Sequence, residues 1–172
     1  RARVIPVAQK DSSISYIMGL ARITDDNGKA SLYLNTYEEY QDYTHGLIIY
    51  GNYPDPANPN NTPEPLFMYV PINIEKLPMD ITIKTAEYPM KKVQLESIDI
   101  SGELLSTPHY NAIYTKNQNG QTVGTILNST GNGIQVLWLP YGDYEYQTFV
   151  NSTDWDDGWQ NKPLYFMSEN IK

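Results

Sequence analysis

The sequence contains no cysteine, and this absence removes several kinds of chemistry at once. Disulfide bridges, thiol nucleophiles and cysteine-based zinc sites are all excluded, while the cellular compartment stays open. The chain also lacks any apolar run of about 18 residues, which is the length that a helix needs to cross a bilayer. We therefore expect no membrane-spanning segment.

Motifs for catalysis and nucleotide binding are missing as well. There is no Gly-x-Ser-x-Gly nucleophile elbow, no phosphate-binding P-loop and no dinucleotide-binding Gly-x-Gly-x-x-Gly run. The two histidines, His45 and His109, each lie at a predicted strand boundary, where a surface histidine needs no catalytic explanation. We expect a protein that is not an enzyme. A small hydrolase remains the third alternative, because a sequence does not display a site assembled from distant residues.

Positive charge is scarce. The chain has 12 Lys and Arg against 20 Asp and Glu, which gives a net charge of −8. Nucleic-acid binding needs basic patches that displace counterions, so no nucleic-acid partner is expected. The acidic surplus is compatible with cation binding, and a surface that is merely soluble would have the same composition.

Tyrosine, proline and glycine are abundant, with 15, 12 and 11 copies among 172 residues. This composition favours short strands separated by turns, and apolar alternation recurs about every ten residues. The prediction is an all-β protein, a β-sandwich or jelly roll of short antiparallel strands forming a single domain over residues 13–172. At most one short helix is expected, over about residues 37–43, where Tyr37, Tyr40 and Tyr43 form a packing stripe.

Two turns are predicted to join hairpins. Asn27-Gly28 lies between apolar alternations over residues 14–24 and 29–35, and Asn-Gly is the strongest short-range hairpin signal. Pro140 and Gly142 lie between alternations over residues 134–139 and 144–150, which predicts a second hairpin. Two further strands are expected over residues 66–74 and 81–88.

Residues 93–150 carry a resemblance to a known fold family. The features are Asn119-Gly120, Asn132-Gly133 and the run Leu-Pro-Tyr-Gly-Asp-Tyr over residues 139–144. Together they resemble the prealbumin-like, or carboxypeptidase-regulatory-like, β-sandwich, in which a G-x-Y after an LP corner leads into a core strand. The resemblance implies a scaffolding or adhesive module of a secreted protein, with no catalytic residues to carry over.

Residues 1–12 form a candidate N-terminal arm. Val4, Ile5, Val7 and Ala8 are apolar, and Pro6 cannot donate to a strand ladder, so the segment suits an edge strand or an extended arm. One interpretation is that it is the first strand of the chain's own sandwich. The other is a donor strand that completes the sheet of a neighbouring subunit, with Val4, Ile5 and Val7 filling alternating pockets.

Two acidic turns are candidate calcium sites, because Ca²⁺ takes clustered oxygen ligands. Asp and Asn also serve turns for backbone reasons alone. In the second turn, the tryptophans either pack at the sandwich edge or stack on a sugar ring. The first turn contains Asp25, Asp26 and Asn27; the second contains Asp154, Asp156 and Asp157, with Trp155 and Trp159.

Three Asn-x-Ser/Thr sequons, at Asn60, Asn128 and Asn151, fall in predicted loops or strand ends. Asn60 belongs to a proline-rich loop over residues 52–65, and a loop of this length is usually functional or disordered. With the tyrosine-rich, cysteine-free composition, the sequons favour a secreted, extracellular or cell-surface glycoprotein.

The chain as a whole resembles archaeal extracellular thread and cannula subunits, through the arm, both acidic turns and the proline-rich loop. In that group, jelly-roll subunits exchange a terminal strand and can hold Ca²⁺ between subunits. The resemblance implies a structural subunit of a surface filament or tubule, that is, a homopolymer. Three Asn-Gly pairs depart from the hyperthermophilic members, because Asn is thermolabile. The alternative is a secreted adhesin or carbohydrate-binding module that uses Trp155 and Trp159.

Overall fold

A computed structural model of the chain describes residues 1–10, 16–34, 37–98, 101–106, 109–127, 133–150 and 166–171. The described segments are almost entirely strands and irregular connections, and their two helical pieces are 3₁₀ turns at Tyr37–Tyr40 and Thr85–Glu87. The all-β prediction is therefore confirmed. The strands are β1 (Ala2–Gln9), β2 (Tyr16–Ile17), β3 (Arg22–Ile23), β4 (Thr44–Tyr53), β5 (Glu64–Ile72), β6 (Met90–Glu96), β7 (His109–Lys116), β8 (Thr122–Leu127), β9 (Ile134–Pro140), β10 (Tyr144–Val150) and β11 (Phe166–Ile171).

The strands form two sheets. The larger sheet has the order β2-β1-β4-β5-β9-β6, with β3 also pairing with β1, and the smaller has the order β11-β10-β7-β8. Neighbouring strands run antiparallel except for β5 and β9, which are parallel and meet at Leu66 and Trp138. The architecture is sandwich-like, with side chains from both sheets meeting in one core.

Three hydrophobic clusters hold the fold together. The first lies between the sheets and contains Ile5, Phe67 and Leu137 of the larger sheet with Ile113 and Tyr146 of the smaller. The second covers the opposite face of the larger sheet, so this sheet is buried on both faces. It contains Val4, Leu47, Ile49, Leu66, Met68, Val70 and Trp138, with Leu32, Ile83 and Tyr88 packed against them.

The third cluster is small and lies beside the end of β1. Ala8, Met18 and Ile74 form it, and the three tyrosines of the stripe pack against it. Packing of the tyrosine stripe was predicted and is confirmed. The predicted helix itself is shorter than expected, a single 3₁₀ turn at Tyr37–Tyr40.

The predicted hairpin over residues 134–150 is wrong. β9 pairs with β5 and β6, whereas β10 pairs with β7 and β11, so the two strands belong to different sheets. The turn between them is a corner at which the chain crosses from one sheet to the other. Turn chemistry at Pro140 and Gly142 is compatible with both outcomes, because it fixes a change of direction and not the partner of the next strand.

Two other predicted strands are absent from the described residues. Residues 29–34 and 81–84 have no strand, and the 3₁₀ turn Thr85–Glu87 follows the second segment. Leu32 and Ile83 explain the difference, because both pack onto the second cluster, on the face of the larger sheet. A segment that crosses the face of a sheet has no strand beside it and cannot join a ladder.

Candidate assembly interface

β1 is the element on which the donor-strand prediction depends. It pairs antiparallel with β4 along its whole length, from Ala2 opposite Gly51 to Gln9 opposite Thr44. On its other side it pairs with β2 and β3. The structure thus places the strand in the chain's own sheet, the first of the two interpretations. Exchange of the strand between subunits stays a prediction.

The second side of β1 is covered by one interrupted strand. Ala8 pairs with Tyr16, whereas Val4 pairs with Arg22, so the covering strand has two more residues than β1 between these pairs. β2 and β3 are therefore two halves of one strand with a bulge between them. Only four residues of this strand pair with β1 in regular register, half as many as pair on the β4 side.

Pro6 lies opposite this bulge. Its carbonyl oxygen accepts a 3.0 Å hydrogen bond from the backbone N–H of Met18. In an antiparallel strand the N–H and C=O of one residue point to the same side, so the missing N–H of Pro6 would also have faced the bulged strand. The proline thus leaves the ladder with β4 intact and weakens only the covering side.

β1 contributes side chains to all three clusters. Ile5 and Val7 point into the core between the sheets, Val4 joins the cluster on the opposite face, and Ala8 joins the third. The predicted donor residues Val4, Ile5 and Val7 are all buried. β1 therefore contributes buried side chains to both faces of the larger sheet.

The first acidic turn lies immediately after β3. Asp25 Oδ1 accepts hydrogen bonds from the backbone N–H groups of Lys29 and Asn27, at 2.8 and 2.9 Å. These bonds, that from Lys29 foremost, hold the pKa of the Asp25 carboxyl below its usual value. Asp26 Oδ1 lies 3.0 Å from Arg1 Nε in an exposed ion pair. The Asp25 carboxylate therefore stabilises the turn through its own backbone hydrogen bonds.

Calcium stays a prediction. In the parts of the chain that the structure describes, no three His, Cys, Asp or Glu side chains form a group that could hold a metal ion. The second acidic turn, with Asp154, Asp156, Asp157, Trp155 and Trp159, lies outside the described residues, as do Asn128 and Asn151. Asn60 is described, and it is exposed in the loop between β4 and β5.

The proline-rich loop is anchored by an ionic cluster that the sequence did not predict. Lys92 Nζ on β6 lies 2.7 Å from Glu64 Oε1 and 4.0 Å from Asp55 Oδ2. Trp138 Nε1 donates a 3.0 Å hydrogen bond to Glu64 Oε2, and its ring lies 5.2 Å from that of Tyr53. The members come from distant positions, so no local pattern could reveal them.

Asp55 fixes the start of that loop. It is only 8% exposed and accepts a 2.9 Å hydrogen bond from the backbone N–H of Ala57. This bond is the main cause of a pKa below the usual value for the Asp55 carboxyl, and Lys92 acts in the same direction. The hydrogen bond from Ala57 and the nearby Lys92 thus favour the charged form of the Asp55 carboxyl, which suits its role as an anchor of the loop.

His45 differs from the expected surface histidine. It is buried, and one ring nitrogen lies 2.7 Å from the carbonyl oxygen of Tyr40, while its ring lies 5.6 Å from that of Tyr37. It therefore ties the 3₁₀ turn to the start of β4. The side chain of His109 lies outside the described residues.

A buried hydroxyl network lies between the sheets. Ser97 Oγ lies 2.9 Å from Thr148 Oγ1 and 3.2 Å from the hydroxyl of Tyr146, and it donates to Asn111 Oδ1 at 3.3 Å. Burial raises the pKa of the Tyr146 hydroxyl above its usual value. No titrating base takes part in these contacts, so the network links three strands or strand ends and resembles no hydrolytic triad.

Within the described residues, no helix has the length and apolar character needed to cross a membrane. Comparison with known proteins found no matching family model, no matching curated protein and no matching solved structure.

Proposed function

We propose that this protein is a structural subunit of an extracellular filament or tubule whose copies exchange their β1 strands. The observation that carries the proposal is the position of β1. Its side chains enter all three clusters, yet one of its sides is covered only by a short bulged strand. The same strand of another copy can fill the same place with the same contacts, and the exchange then joins subunits.

The proposal assigns the chain no catalytic activity. It includes Ca²⁺ at residues 154–157, where cations would reduce repulsion between subunits that each carry a net charge of −8. It also includes glycans at the sequons, of which the exposed Asn60 is accessible. Both parts rest on the sequence.

Deleting β1 is a poor test, because the deletion removes Val4, Ile5, Val7 and Ala8 from the core. A chain without residues 1–10 is therefore expected to lose its fold unless a strand is supplied in trans.

A disulfide reporter is a sharper test, because the cysteine-free chain gives no background. The backbone carbonyl oxygen of Ala2 accepts a hydrogen bond from the N–H of Thr24, on the side away from β4. Ala2 and its partner Gly51 on β4 are therefore a non-hydrogen-bonded pair. A Cβ at Gly51 would lie 2.7 Å from that of Ala2, and a disulfide needs the strands to separate by about 1 Å. The variant carries Ala2→Cys and Gly51→Cys.

Oxidation of the assembled variant is expected to give a ladder of covalent multimers on a denaturing, non-reducing gel. The control is Lys116→Cys with Thr122→Cys, a cross-strand pair inside one hairpin, which should give only monomers. Filaments whose subunits contain only internal Ala2→Cys/Gly51→Cys disulfides would overturn strand exchange.

Electron microscopy with Ca²⁺ and again with a chelator tests the assembly itself. Filaments that form only with Ca²⁺ support both the assembly and the role of the cation in it. Filaments in both conditions support the assembly and remove the cation from the proposal. Monodisperse monomers in both conditions would overturn the proposal and favour the adhesin or carbohydrate-binding alternative.

A further inference from the structure

We propose that Gln9 sets the register of β1 and thereby determines which strand the sheet accepts. The inference concerns how β1 is recognised, and its meaning for assembly rests on the proposed function. Gln9 is the last residue of the strand and the only polar side chain among its six buried positions, residues 4–9.

The apolar residues of β1 do not fix its register by themselves. Residues 4–8 are all apolar, so both faces of the strand are hydrophobic along this stretch. A slip of two residues keeps every side chain on its original face and places Val7 where Ile5 had been. Within residues 4–8 such a slip only exchanges one apolar side chain for another. Gln9 is the next residue on the face of Ile5 and Val7, and the slip would carry it into the place of Val7.

Gln9 changes this balance because its carboxamide is fully buried and paired. Only 1% of the residue is exposed. Its Oε1 accepts a 2.8 Å hydrogen bond from Asn117 Nδ2, and its Nε2 donates to the carbonyl oxygen of Thr122. Donor and acceptor of the amide are thus matched to opposite partners on the β7–β8 hairpin of the other sheet.

The partners of Gln9 are themselves held in place. Asn117 Oδ1 accepts hydrogen bonds from the backbone N–H groups of Asn119 and Gln121, both at 2.9 Å. Asn119 Nδ2 in turn donates to Thr44 Oγ1 at 2.7 Å, at the start of β4. The turn of the β7–β8 hairpin therefore forms a rigid receptor for one carboxamide at one position.

A slipped strand would lose this match. Gln9 would leave Asn117 and Thr122 and would take the place of Val7 in the core between the sheets. Leaving buried polar groups without partners costs more than a hydrogen bond contributes. A single buried polar residue that specifies register has the same physical basis in coiled coils. The strand that the sheet accepts is thus one with a carboxamide two positions after the last core valine.

Two cysteine reporters that share one partner position measure the register in the full-length chain. Ala2→Cys with Gly51→Cys reports the observed register, and Val4→Cys with Gly51→Cys reports a slip of two residues. With Gln9 present, the first pair is expected to form at least about tenfold more disulfide than the second under equilibrating thiol–disulfide exchange.

Gln9→Met removes both hydrogen bonds at nearly constant volume, and the ratio is expected to fall toward one. Gln9→Leu, which also removes both hydrogen bonds, should give a similar fall and serves if Gln9→Met does not fold. Arg3→Met is the control in the same strand and should leave the ratio unchanged, because Arg3 is exposed.

An unchanged ratio in both Gln9 variants would overturn the proposal, and so would an equal fall with Arg3→Met. The disulfides report the register whether they form within one chain or between chains. A failure of strand exchange therefore appears as monomers with the register intact, and a failure of the register proposal leaves the assembly unaffected.

Discussion

The hydroxyl group of Tyr144 donates a 2.9 Å hydrogen bond to the carbonyl oxygen of Pro140. The two residues stand at the ends of the corner at which the chain leaves β9 in the larger sheet and enters β10 in the smaller. Tyr144 is 7% exposed, and its ring lies edge-on to Phe67 of β5 with centroids 6.3 Å apart. One side chain thus closes the corner and joins the two sheets.

Tyr144→Phe removes that hydrogen bond and keeps the ring. We expect the free energy of unfolding to fall by about 1 kcal/mol, because the packing against Phe67 survives. Urea denaturation of the two proteins measures the difference. Tyr141→Phe is the control, since Tyr141 is 69% exposed and should change stability by less than about 0.5 kcal/mol. Equal effects would show that the corner bond contributes nothing.

The same corner shows how far the sequence alone determines this fold. Alternation of apolar residues correctly predicted the strands over residues 66–74, 134–139 and 144–150, because burial of one face is a local pattern. It misassigned residues 134–150 to one hairpin, because a turn looks the same whether the next strand stays in the sheet or crosses to another. The partner of β10 is decided by the inter-sheet core, where Tyr144 and Tyr146 meet residues of distant strands.

The candidate site was predictable to a similar depth. Val4, Ile5 and Val7 were predicted to fill pockets as a donor strand, and the structure buries them within the chain's own clusters. Pro6 was recognised as a residue that cannot donate to a ladder. The bulge opposite Pro6 was not predicted, because it depends on the register between two strands. Gln9 and its receptor at Asn117 lie more than a hundred positions apart in the sequence, so no spacing rule could join them.

Alkaline pH should destabilise the protein through the buried Tyr144 and the half-buried Tyr69. Burial raises the pKa of Tyr69 and of Tyr144 to about 12, whereas tyrosines in an unfolded chain titrate near pH 10. Between these values the unfolded chain releases protons that the folded chain retains, so stability is fully present below about pH 10 and is lost toward pH 12.

The expected slope is about 1 kcal/mol per pH unit for each of the two residues. Urea denaturation at several alkaline pH values measures this slope. Tyr144→Phe should reduce the slope by the contribution of Tyr144. A stability that stays flat from about pH 10 to 12, or an unchanged slope in Tyr144→Phe, would contradict burial of these hydroxyls.

A glycine on β8 should tolerate no side chain. Gly124 pairs directly with Tyr114 of β7, and a Cβ at this position would collide with the tyrosine ring and with the carbonyl oxygen of Ile113. We expect Gly124→Ala to lower the free energy of unfolding by about 1–3 kcal/mol. Gly142→Ala is the control, because its Cβ would meet nothing closer than 3.6 Å.

A double variant identifies the cause. If the tyrosine ring is the obstacle, Tyr114→Leu with Gly124→Ala should lose less stability than the two single changes predict together. Additive losses would assign the cost to the backbone contact at Ile113, and an unaffected Gly124→Ala protein would show that the two strands are not paired in this register.

One substitution should have opposite effects at two buried glutamines. Gln9 and Gln135 are 1% and 3% exposed, yet only Gln9 has partners for both ends of its carboxamide. Gln135 Nε2 donates a long 3.3 Å bond to Val136, and its Oε1 has no hydrogen-bond partner in the described structure. A buried acceptor without a partner costs about 1–3 kcal/mol.

Gln135→Met should therefore raise the free energy of unfolding by about 1 kcal/mol, because it removes the unpaired oxygen at nearly constant volume. Gln9→Met should lower it by a similar amount, since it leaves Asn117 and Thr122 with unused hydrogen-bonding capacity. Urea denaturation of both variants beside the parent chain compares the two signs. If Gln135→Met is destabilising as well, an ordered water must bond to Oε1 of Gln135 in the parent chain. A crystal structure would show that water, and it would also show whether one bonds to Asn111 Nδ2, the other buried atom without a partner among the described residues.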